Sequence, residues 1–556
     1  MTLNLITSFA SPLAWLFVPP QSRSLADRIA DQIATQFQAD PFAGLQQFAA
    51  FDWAMVIPYF VLLGVLSVYG LHRYEMIRGY FKHRAKLAAA PLRRFSELPR
   101  VTIQLPIYNE RFVVERLLES VSWVDYPWDR LQIQVLDDST DATHPFTQAL
   151  VRDYQESGLP IEYIHRTNRH GFKAGALESG LKTATGEFVA VFDADFVIPS
   201  DFLRRTIHHF TDEKVGMVQT RWTYLNRDYN VLTEVQAMLL DGHFILEHVA
   251  RSGGGMFFNF NGTAGIMRKT MIADAGGWQH DTLTEDSDLS YRAQLNGWKF
   301  VYDPNVECPS ELPVETYGFQ VQQSRWAKGL TQVAKKLLLR ILRADLPWRL
   351  KAEAFFHLTP NVSYPLMVGV SALMLPVMIV RYRMGWFEMA LLDLPLMIAA
   401  FWSVSAFYVV AQRALHPDTW KRSLLFMPAL LAAGIALTLI NSKAFFEAII
   451  GRQSAFARTP KYAIGQQKGS APVSTEYRRR SGWLPYLELA MGFGFVLIVL
   501  YAIESLNFLA VPFLLLFVGG YFWAGLTTLW DEYQGKLAFE RAREAHAREA
   551  LERAKA

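Results

Sequence analysis

Residues 186–196 read GEFVAVFDADF, which combines a predicted strand with two carboxylates. Residues 187–192 are a short, apolar, β-favouring run that is typical of a buried parallel strand. Asp193 and Asp195 follow it, and the carboxyl end of a parallel strand faces the crevice in which open α/β sheets bind ligands. Such hard oxygen ligands suit Mg²⁺ or Mn²⁺, whereas an acidic turn explains the same residues without a metal. The stretch alone leaves both interpretations open.

The composition indicates a membrane protein with a large soluble part. The chain has 556 residues, of which 51% are hydrophobic, and a formal net charge of +3. Apolar residues concentrate in the N-terminal tenth and after about residue 355, in runs near the roughly 20 residues that span a bilayer. Without a basic stretch interleaved with aromatic residues, no nucleic-acid partner is predicted. The single Cys308 excludes an intrachain disulfide framework.

Strand and helix patterns alternate between residues 100 and 315, which predicts an α/β domain with a mostly parallel sheet. Segment 257–265 is rich in glycine and apolar residues, and we interpret it as a strand that something flat approaches closely. Helix 320–343 is basic and amphipathic, as suits a membrane surface. Further strands are predicted at 101–106, 131–136, 161–165 and 215–221, and helices at 112–124, 147–155, from 173 and from 284.

Charge asymmetry orients the membrane segments. The first convincing transmembrane helix is 53–71, and the basic run after it predicts that the following region is cytosolic. Further spans are predicted at 360–380, 388–411, 485–503 and 508–530. Segment 424–440 joins two basic loops, which a single span cannot do if both are cytosolic. We therefore predict a re-entrant or interface helix there, with a sixth span as the alternative.

An apolar segment at 13–18 is short for a transmembrane span and is interpreted as an interface helix. Together, these patterns divide the chain into eight regions. The regions are an interfacial or extracytoplasmic segment (1–50), a transmembrane helix (51–72), a cytosolic α/β domain (73–316), amphipathic interface helices (317–355), transmembrane helices with the re-entrant or interface helix (356–450), a cytosolic loop (451–482), a transmembrane hairpin (483–530) and a cytosolic charged helix (531–556).

Four acidic or basic motifs occur in a fixed order along the chain. They are Asp137-Asp138, Asp193-x-Asp195, Thr284-Glu285-Asp286, and Gln322-Gln323-Ser324-Arg325-Trp326. This series resembles the D, DxD, TED, QxxRW signature of membrane-integrated, processive family 2 glycosyltransferases, which include cellulose, chitin and hyaluronan synthases. The segments QVLDDSTDAT, KAGAL, FNGTAG and GGW most resemble the sequences of the cellulose-synthase-like A and C proteins, which make mannan, glucomannan and glucan backbones. Residues 456–461 resemble the FxVTxK gating loop of cellulose synthases, with Arg458 in place of Val.

The resemblance implies a cytosolic GT-A domain, an α/β domain with a mostly parallel sheet, inserted between transmembrane helices. The membrane domain would have about five spans plus interface helices. The implied enzyme is an inverting, processive glycosyltransferase that polymerises hexose from UDP-glucose, GDP-mannose or GDP-glucose into a β-linked polysaccharide and passes it across the membrane. A lipid glycosyltransferase similar to ceramide glucosyltransferase is the alternative, because it shares the catalytic motifs and adds a single sugar to a membrane lipid.

Sugar transfer from a nucleoside diphosphate sugar needs positive charge to stabilise the leaving diphosphate, a base to deprotonate the acceptor hydroxyl, and a site that excludes water. On the matching positions, the resemblance implies Asp286 as general base within the motif of Thr284 and Glu285. It implies Asp195, helped by Asp193, as ligands of Mg²⁺ or Mn²⁺. The implied contacts to the nucleotide sugar are Tyr108, Glu110, Asp138, Lys173, Asp193, Arg325, Arg458 and Lys461. The implied contacts to the acceptor are Asn261, Gly262, Thr263, Gln322 and Trp326.

The expected partners are a nucleotide-sugar donor, a growing polysaccharide acceptor and the lipid bilayer, while protein partners stay unknown. His208, His209, His243 and His248 lack the spacing of a zinc site and are interpreted as structural. A short polar N-terminus and compact loops favour a bacterial inner membrane, with a plant Golgi membrane as the alternative. The donor base and sugar stay open.

Overall fold

The computed structural model describes residues 48–87, 93–383, 394–453, 482–508 and 510–555, together with residues 27, 91, 459 and 461–464. The interface helix predicted at 13–18 lies outside the described residues, as does Arg458.

A seven-stranded mixed sheet forms the centre of the α/β domain, in the order β3-β2-β1-β4-β6-β5-β7. Strand β1 pairs in parallel with β2 and β4, β2 with β3, and β5 with β7, whereas β6 runs antiparallel to β4 and β5. The predicted mostly parallel sheet is therefore confirmed. The strands are β1 (Val101–Ile107), β2 (Leu131–Asp137), β3 (Ile161–His165), β4 (Phe188–Val191), β5 (Val215–Tyr224), β6 (Gly265–Arg268) and β7 (Lys299–Ser310).

The apolar run of β4 is explained by burial on both of its faces. Phe188 and Ala190 belong to one core layer, which also contains Leu117 of the helix after β1. Val189 and Val191 point to the opposite layer. Because side chains alternate along a strand, β4 places apolar side chains in both layers and none of them faces solvent.

The helices cover the sheet and then continue into an apolar bundle. They are α1 (Ala50–Leu87), α2 (Arg111–Ser122), α3 (Thr143–Glu156), α4 (Phe172–Leu181), α5 (Phe202–Thr206), α6 (Val231–Asp241), α7 (His248–Gly254), α8 (Lys269–Asp274), α9 (Glu285–Leu295), α10 (Thr316–Arg343), α11 (Trp348–Leu358), α12 (Ser363–Arg383), α13 (Leu394–Met397), α14 (Ser403–Leu415), α15 (Trp420–Ser423), α16 (Met427–Ala436), α17 (Thr438–Ile450), α18 (Leu484–Glu504) and α19 (Val511–Lys555). Short 3₁₀ segments lie at Trp128–Arg130, Ile207–Thr211, Pro360–Val362 and Leu424–Phe426, and π-helical turns at Gly242–Glu247 and Ile398–Trp402.

The strand predicted at 257–265 is wrong for most of its length, since regular pairing begins only at Gly265. The backbone of Phe258 and Phe260 bonds instead to side chains of α9, and backbone bonds to the neighbouring strands begin at Ala264, with Val191 of β4 and Thr220 of β5. Phe260 donates its N–H to Ser290 Oγ at 2.8 Å, and Phe258 exchanges hydrogen bonds with the Gln294 side chain at 3.2 and 2.8 Å. A strand-like composition is thus used for a loop that a helix holds from the side.

Six helical segments within the described residues are long and apolar enough to cross a membrane, which supports a membrane-integrated chain. Five of them match the predicted spans, and the sixth, Trp420–Ile450, contains the segment predicted to lie at the interface. Half of its most apolar window is buried, the largest share among the six. Its second part, α17, packs along α10, where Lys328 Nζ lies 2.8 Å from Glu447 Oε2. These contacts fit a helix packed on protein, while the topology of this segment stays a prediction.

Candidate active site

The acidic motifs meet at one edge of the sheet because β1, β2 and β4 run in the same direction. Asp137 ends β2 beside Ile107, the last residue of β1. Asp193 and Asp195 follow β4, which lies on the other side of β1. The prediction that these carboxylates lie at strand ends is thus confirmed by the sheet register, since carboxyl ends of adjacent parallel strands share an edge.

The predicted nucleotide side of this edge is framed by two arginines from the loop after β3. Arg166 forms a bidentate interaction with Asp138, in which Nε donates to Oδ1 at 2.7 Å and Nη2 donates to Oδ2 at 2.5 Å. The Arg169 guanidinium lies 3.3 Å from the centre of the Tyr108 ring. Sequence reasoning missed both arginines. The available signal was the basic run around the predicted helix start at Lys173.

The Asp193 side chain contacts the ammonium group of Lys173. Lys173 also donates to the carbonyl oxygen of Gly262 at 2.9 Å, and the Asp193 N–H donates to Thr263 Oγ1 at 2.9 Å. Burial opposes the charge of Lys173, but Asp193, Glu285 and Asp286 outweigh it, so the pKa of Lys173 is raised. Lysine and the three carboxylates therefore form one electrostatic unit.

Asp195 is held by Lys461, from the segment that resembles a gating loop. Lys461 Nζ lies 2.5 Å from Asp195 Oδ2 and 2.6 Å from the Glu311 carbonyl oxygen. The Glu311 carboxylate accepts from the Tyr462 N–H at 2.9 Å and pairs with Arg116 at 3.2 Å. Glu311 is buried and fastens residues 461–462 to the site. It was missed because its partners are distant in sequence.

The TED motif occupies the first turn of α9, as predicted. Thr284 stands at the N-cap, but its side chain makes no capping hydrogen bond. Asp286 Oδ1 accepts from the Ser287 N–H at 2.7 Å, and its other oxygen faces Gly262. A Cβ on Gly262 would lie 3.0 Å from Asp286 Oδ2. The φ angle of Gly262, +85°, also favours glycine at this position. The glycine thus keeps space open beside the predicted base.

Burial raises the pKa of Asp286 to about 7, and the negative charge of Glu285 adds to the effect. The pKa of Glu285 is raised as well, again mainly by burial, while Lys173 and Arg325 oppose the shift. A carboxyl with a pKa near 7 is divided between acid and base at neutral pH, which suits proton transfer.

Helix α10 brings Arg325 to the same group of carboxylates. Burial lowers the pKa of Arg325, while Glu285, Asp193, Asp286 and Asp195 act in the opposite direction. Gln322 and Trp326 lie on the same helix and are half-buried. The helix packs closely on the TED motif, since a Cβ on Gly329 would lie only 2.5 Å from Thr284 Cγ2.

The other predicted site residues have different surroundings. Glu110 stands at the N-cap of α2. The side-chain amide of Asn261 contacts His243 and His248, at 2.9 and 2.6 Å. His208 accepts from the Phe95 N–H at 3.2 Å, and His209 lies 3.2 Å from Asp303.

The DxD carboxylates fit a divalent cation by their chemistry. Asp193 and Asp195 offer hard oxygen ligands, and each contacts a lysine that balances its charge. A second group, not predicted from the sequence, consists of Asp137, His144 and His165, whose ligand atoms lie within 4.8 Å of one another. There the two imidazole rings stack at 4.0 Å, and Asp137 accepts from the Ser139 N–H and the Tyr163 hydroxyl.

Comparison with known proteins confirms the resemblance. Residues 99–329 match the model described as glycosyltransferase like family 2. Glucomannan 4-beta-mannosyltransferase 1 of Oryza sativa subsp. japonica is 44% identical over 256 residues, 45% of this chain and 49% of the relative. Glucomannan 4-beta-mannosyltransferase 1 of Cyamopsis tetragonoloba is 39% identical over 297 residues, 51% of this chain and 56% of the relative.

The chain spans about half the length of the curated relatives it matches. Glucomannan 4-beta-mannosyltransferase 2 of Arabidopsis thaliana is similar too, at 43% identity over 253 residues, 45% of this chain and 47% of the relative. These relatives come from plants, so the expected bacterial inner membrane finds no support. A solved structure, mannosyltransferase PcManGT from Pyrobaculum calidifontis in complex with GDP-Man and Mn²⁺, aligns with 64% of this chain and 99% of its own, at a TM-score of 0.44 and 24% identity.

We expect Gly329→Ala to loosen the TED turn, because the added methyl group has no room beside Thr284. Hydrogen–deuterium exchange followed by mass spectrometry measures this directly. Amides of residues 282–290 should exchange on the order of tenfold faster, as expected when a helix start loses its packing partner. Gly434→Ala is the matched control, since nothing lies within 4 Å of a Cβ on that helical glycine. Equal exchange in both variants would contradict the packing role.

Proposed function

We propose that this chain, which contains a family 2 glycosyltransferase domain, transfers hexose units from a nucleotide sugar to the end of a β-linked polysaccharide at a membrane. One observation carries the proposal. The DxD and TED carboxylates and the arginine of QxxRW come from separate parts of the chain and share one buried electrostatic unit. A donor diphosphate and an acceptor hydroxyl need these groups side by side.

Asp286 is proposed to act as the general base. Its pKa of about 7 makes it a competent proton acceptor at neutral pH, and Gly262 leaves space beside its free oxygen. As the acceptor oxygen attacks the anomeric carbon, its proton passes to Asp286. Glu285 keeps this pKa high through its negative charge.

The leaving diphosphate is proposed to depart toward the cations of the site. Arg325 can bind phosphate oxygens with two hydrogen bonds, while Lys173 and Lys461 supply point charges. Asp193 and Asp195 would hold a Mg²⁺ or Mn²⁺ ion, which supplies positive charge to the diphosphate when bound. Lys461, Tyr462 and Glu311 hold the other side of the pocket and exclude water from Asp195.

The proposal that the product is a polysaccharide is supported by the apolar helices that follow the catalytic region and by the names of the relatives. Within the described residues, one apolar helix precedes the α/β domain and five follow it, and the relatives are named for 4-beta-mannosyl transfer in glucomannan. We therefore propose a mannosyl donor such as GDP-mannose as the first candidate, with GDP-glucose and UDP-glucose next. The α/β domain is proposed to face the cytosol, and the product to cross the membrane through the chain's own helices.

A donor screen tests this proposal. Purified protein in detergent is mixed with Mn²⁺ or Mg²⁺ and each donor, release of GDP or UDP is followed, and the product is sized. We expect one donor to give a high-molecular-weight product that a β-glycanase digests, and chelation of the ion to stop its formation. A lipid-extractable monoglycoside as the sole product would instead identify a lipid glycosyltransferase.

The raised pKa of Asp286 predicts a pH profile. Because the ionised form is the base, kcat/KM should fall about tenfold per pH unit below pH 7 and level off above it. In Glu285→Gln the acid limb should move to lower pH, since the negative charge that raises the pKa of Asp286 is gone. Asp286→Asn should lose transfer by a factor on the order of 10² to 10⁴. An acid limb that stays in place in Glu285→Gln would contradict the assignment.

A further inference from the structure

The loop between α7 and β6 carries two residues, Gly262 and Thr263, that border the catalytic groups. The Gly262 carbonyl oxygen accepts a hydrogen bond from Lys173 at 2.9 Å. The Cα of Gly262 lies beside Asp286, since an added Cβ would be 3.0 Å from Asp286 Oδ2. Thr263 Oγ1 accepts from the Asp193 N–H at 2.9 Å. The position of this loop therefore affects the lysine, the DxD motif and the predicted base at once.

Asn261 precedes these contacts, and its side chain points away from them toward two histidines. Its Nδ2 lies 2.9 Å from His243 Nε2, and its Oδ1 lies 2.6 Å from His248 Nε2. Its backbone N–H donates to Gln219 Oε1 at 2.9 Å. Both ends of the amide are thus used within the protein.

The protonation of this group follows from its partners. The Glu247 carboxylate only accepts, so His243 must carry its proton on Nδ1, 2.9 Å from Glu247 Oε2. In the neutral ring, His243 Nε2 is then an acceptor, which places the amide N–H₂ of Asn261 beside it. The amide oxygen consequently faces His248, whose Nε2 must donate. His248 Nδ1 is then a bare nitrogen, consistent with its lack of a hydrogen-bond partner among the described residues.

This arrangement is anchored to the membrane-side helices. Glu247 also accepts from Arg251 at 2.9 Å, and Arg251 donates to Glu353 of α11 at 2.8 Å. Glu353 in turn lies 2.7 Å from His72 of α1. His243 and Glu247 both lie in the π-helical turn Gly242–Glu247, and π-helical turns are frequent at functional sites. Buried ionic groups linked in this way have few alternative arrangements.

We infer that Asn261 is a positioning residue, whose amide is clamped between His243 and His248 so that Gly262 and Thr263 hold Lys173, Asp193 and Asp286 in place. This replaces the acceptor-binding role that the sequence resemblance implied for Asn261. The inference rests on the proposed transfer reaction for its kinetic consequences, while its structural consequence is independent of it.

Asn261→Ala tests the inference by separating two kinds of kinetic loss. A positioning residue affects every reaction at the site, so kcat for sugar transfer and for donor hydrolysis by water should both fall on the order of 100-fold, with the KM for acceptor unchanged. An acceptor-binding residue would raise the KM for acceptor and leave donor hydrolysis as in wild type, which would overturn the inference. Asn259→Ala is the matched control, because Asn259 lies in the same loop and its side-chain amide donates to the Phe260 carbonyl oxygen of that loop, while its Oδ1 has no hydrogen-bond partner among the described residues.

A second measurement holds even if the proposed function fails. Hydrogen–deuterium exchange of residues 257–265 should rise about tenfold in Asn261→Ala and stay near wild type in Asn259→Ala. His248→Gln retains an N–H donor and should keep the loop protected, whereas His248→Phe should not. Unchanged exchange in Asn261→Ala would overturn the inference whatever the donor screen gives, and absence of transfer in the wild type would count against the proposed function alone.

Discussion

The structure of this site depends on a balance of buried charge. Four carboxylates lie at one edge of the sheet, and three cations from distant parts of the chain offset most of their negative charge. An unpaired charge in such a place is expensive, so each cation must be present for the fold to close around the carboxylates. The carboxylates are Asp193, Asp195, Glu285 and Asp286, and the cations are Lys173, Arg325 and Lys461.

The same balance joins the α/β domain to the apolar helices. Arg325 belongs to α10, whose next turn packs through Gly329 on Thr284 and whose Lys328 pairs with Glu447 of α17. A second link runs from His72 of α1 through Glu353 to Arg251 beside the loop of Asn261. The carboxylates and cations of the site thus lie between the sheet and the apolar helices.

The parts of the fold that were predictable are those with a local pattern. A continuous apolar run made β4 recognisable, because its side chains enter apolar core layers on both faces of the sheet. Acidic residues directly after such a run indicated the site edge. The family resemblance added Asp286 and Arg325, which no local pattern identifies as partners, and the structure brings their charges together.

The remaining features depend on contacts between distant residues. Segment 257–265 has the composition of a strand, but Ser290 and Gln294 of α9 bind its backbone. Glu311 follows a strand that was not predicted, and its role appears only with Tyr462 in place. The family resemblance implied that Asn261 contacts the acceptor, yet its amide is used by two histidines that are 13 and 18 residues away.

The anomeric configuration of the product shows whether Asp286 acts as the base of a single inverting displacement. If Asp286 removes the proton of the acceptor while the diphosphate leaves from the opposite face, an α-linked nucleotide sugar must give a β-linked product in one displacement. The one-bond C1–H1 coupling constant, measured by NMR on the glycan formed from the accepted donor, reports the configuration for mannose and glucose alike. We expect β-linked units, and an α-linked product would contradict the assignment of Asp286 as the base of a single inverting step.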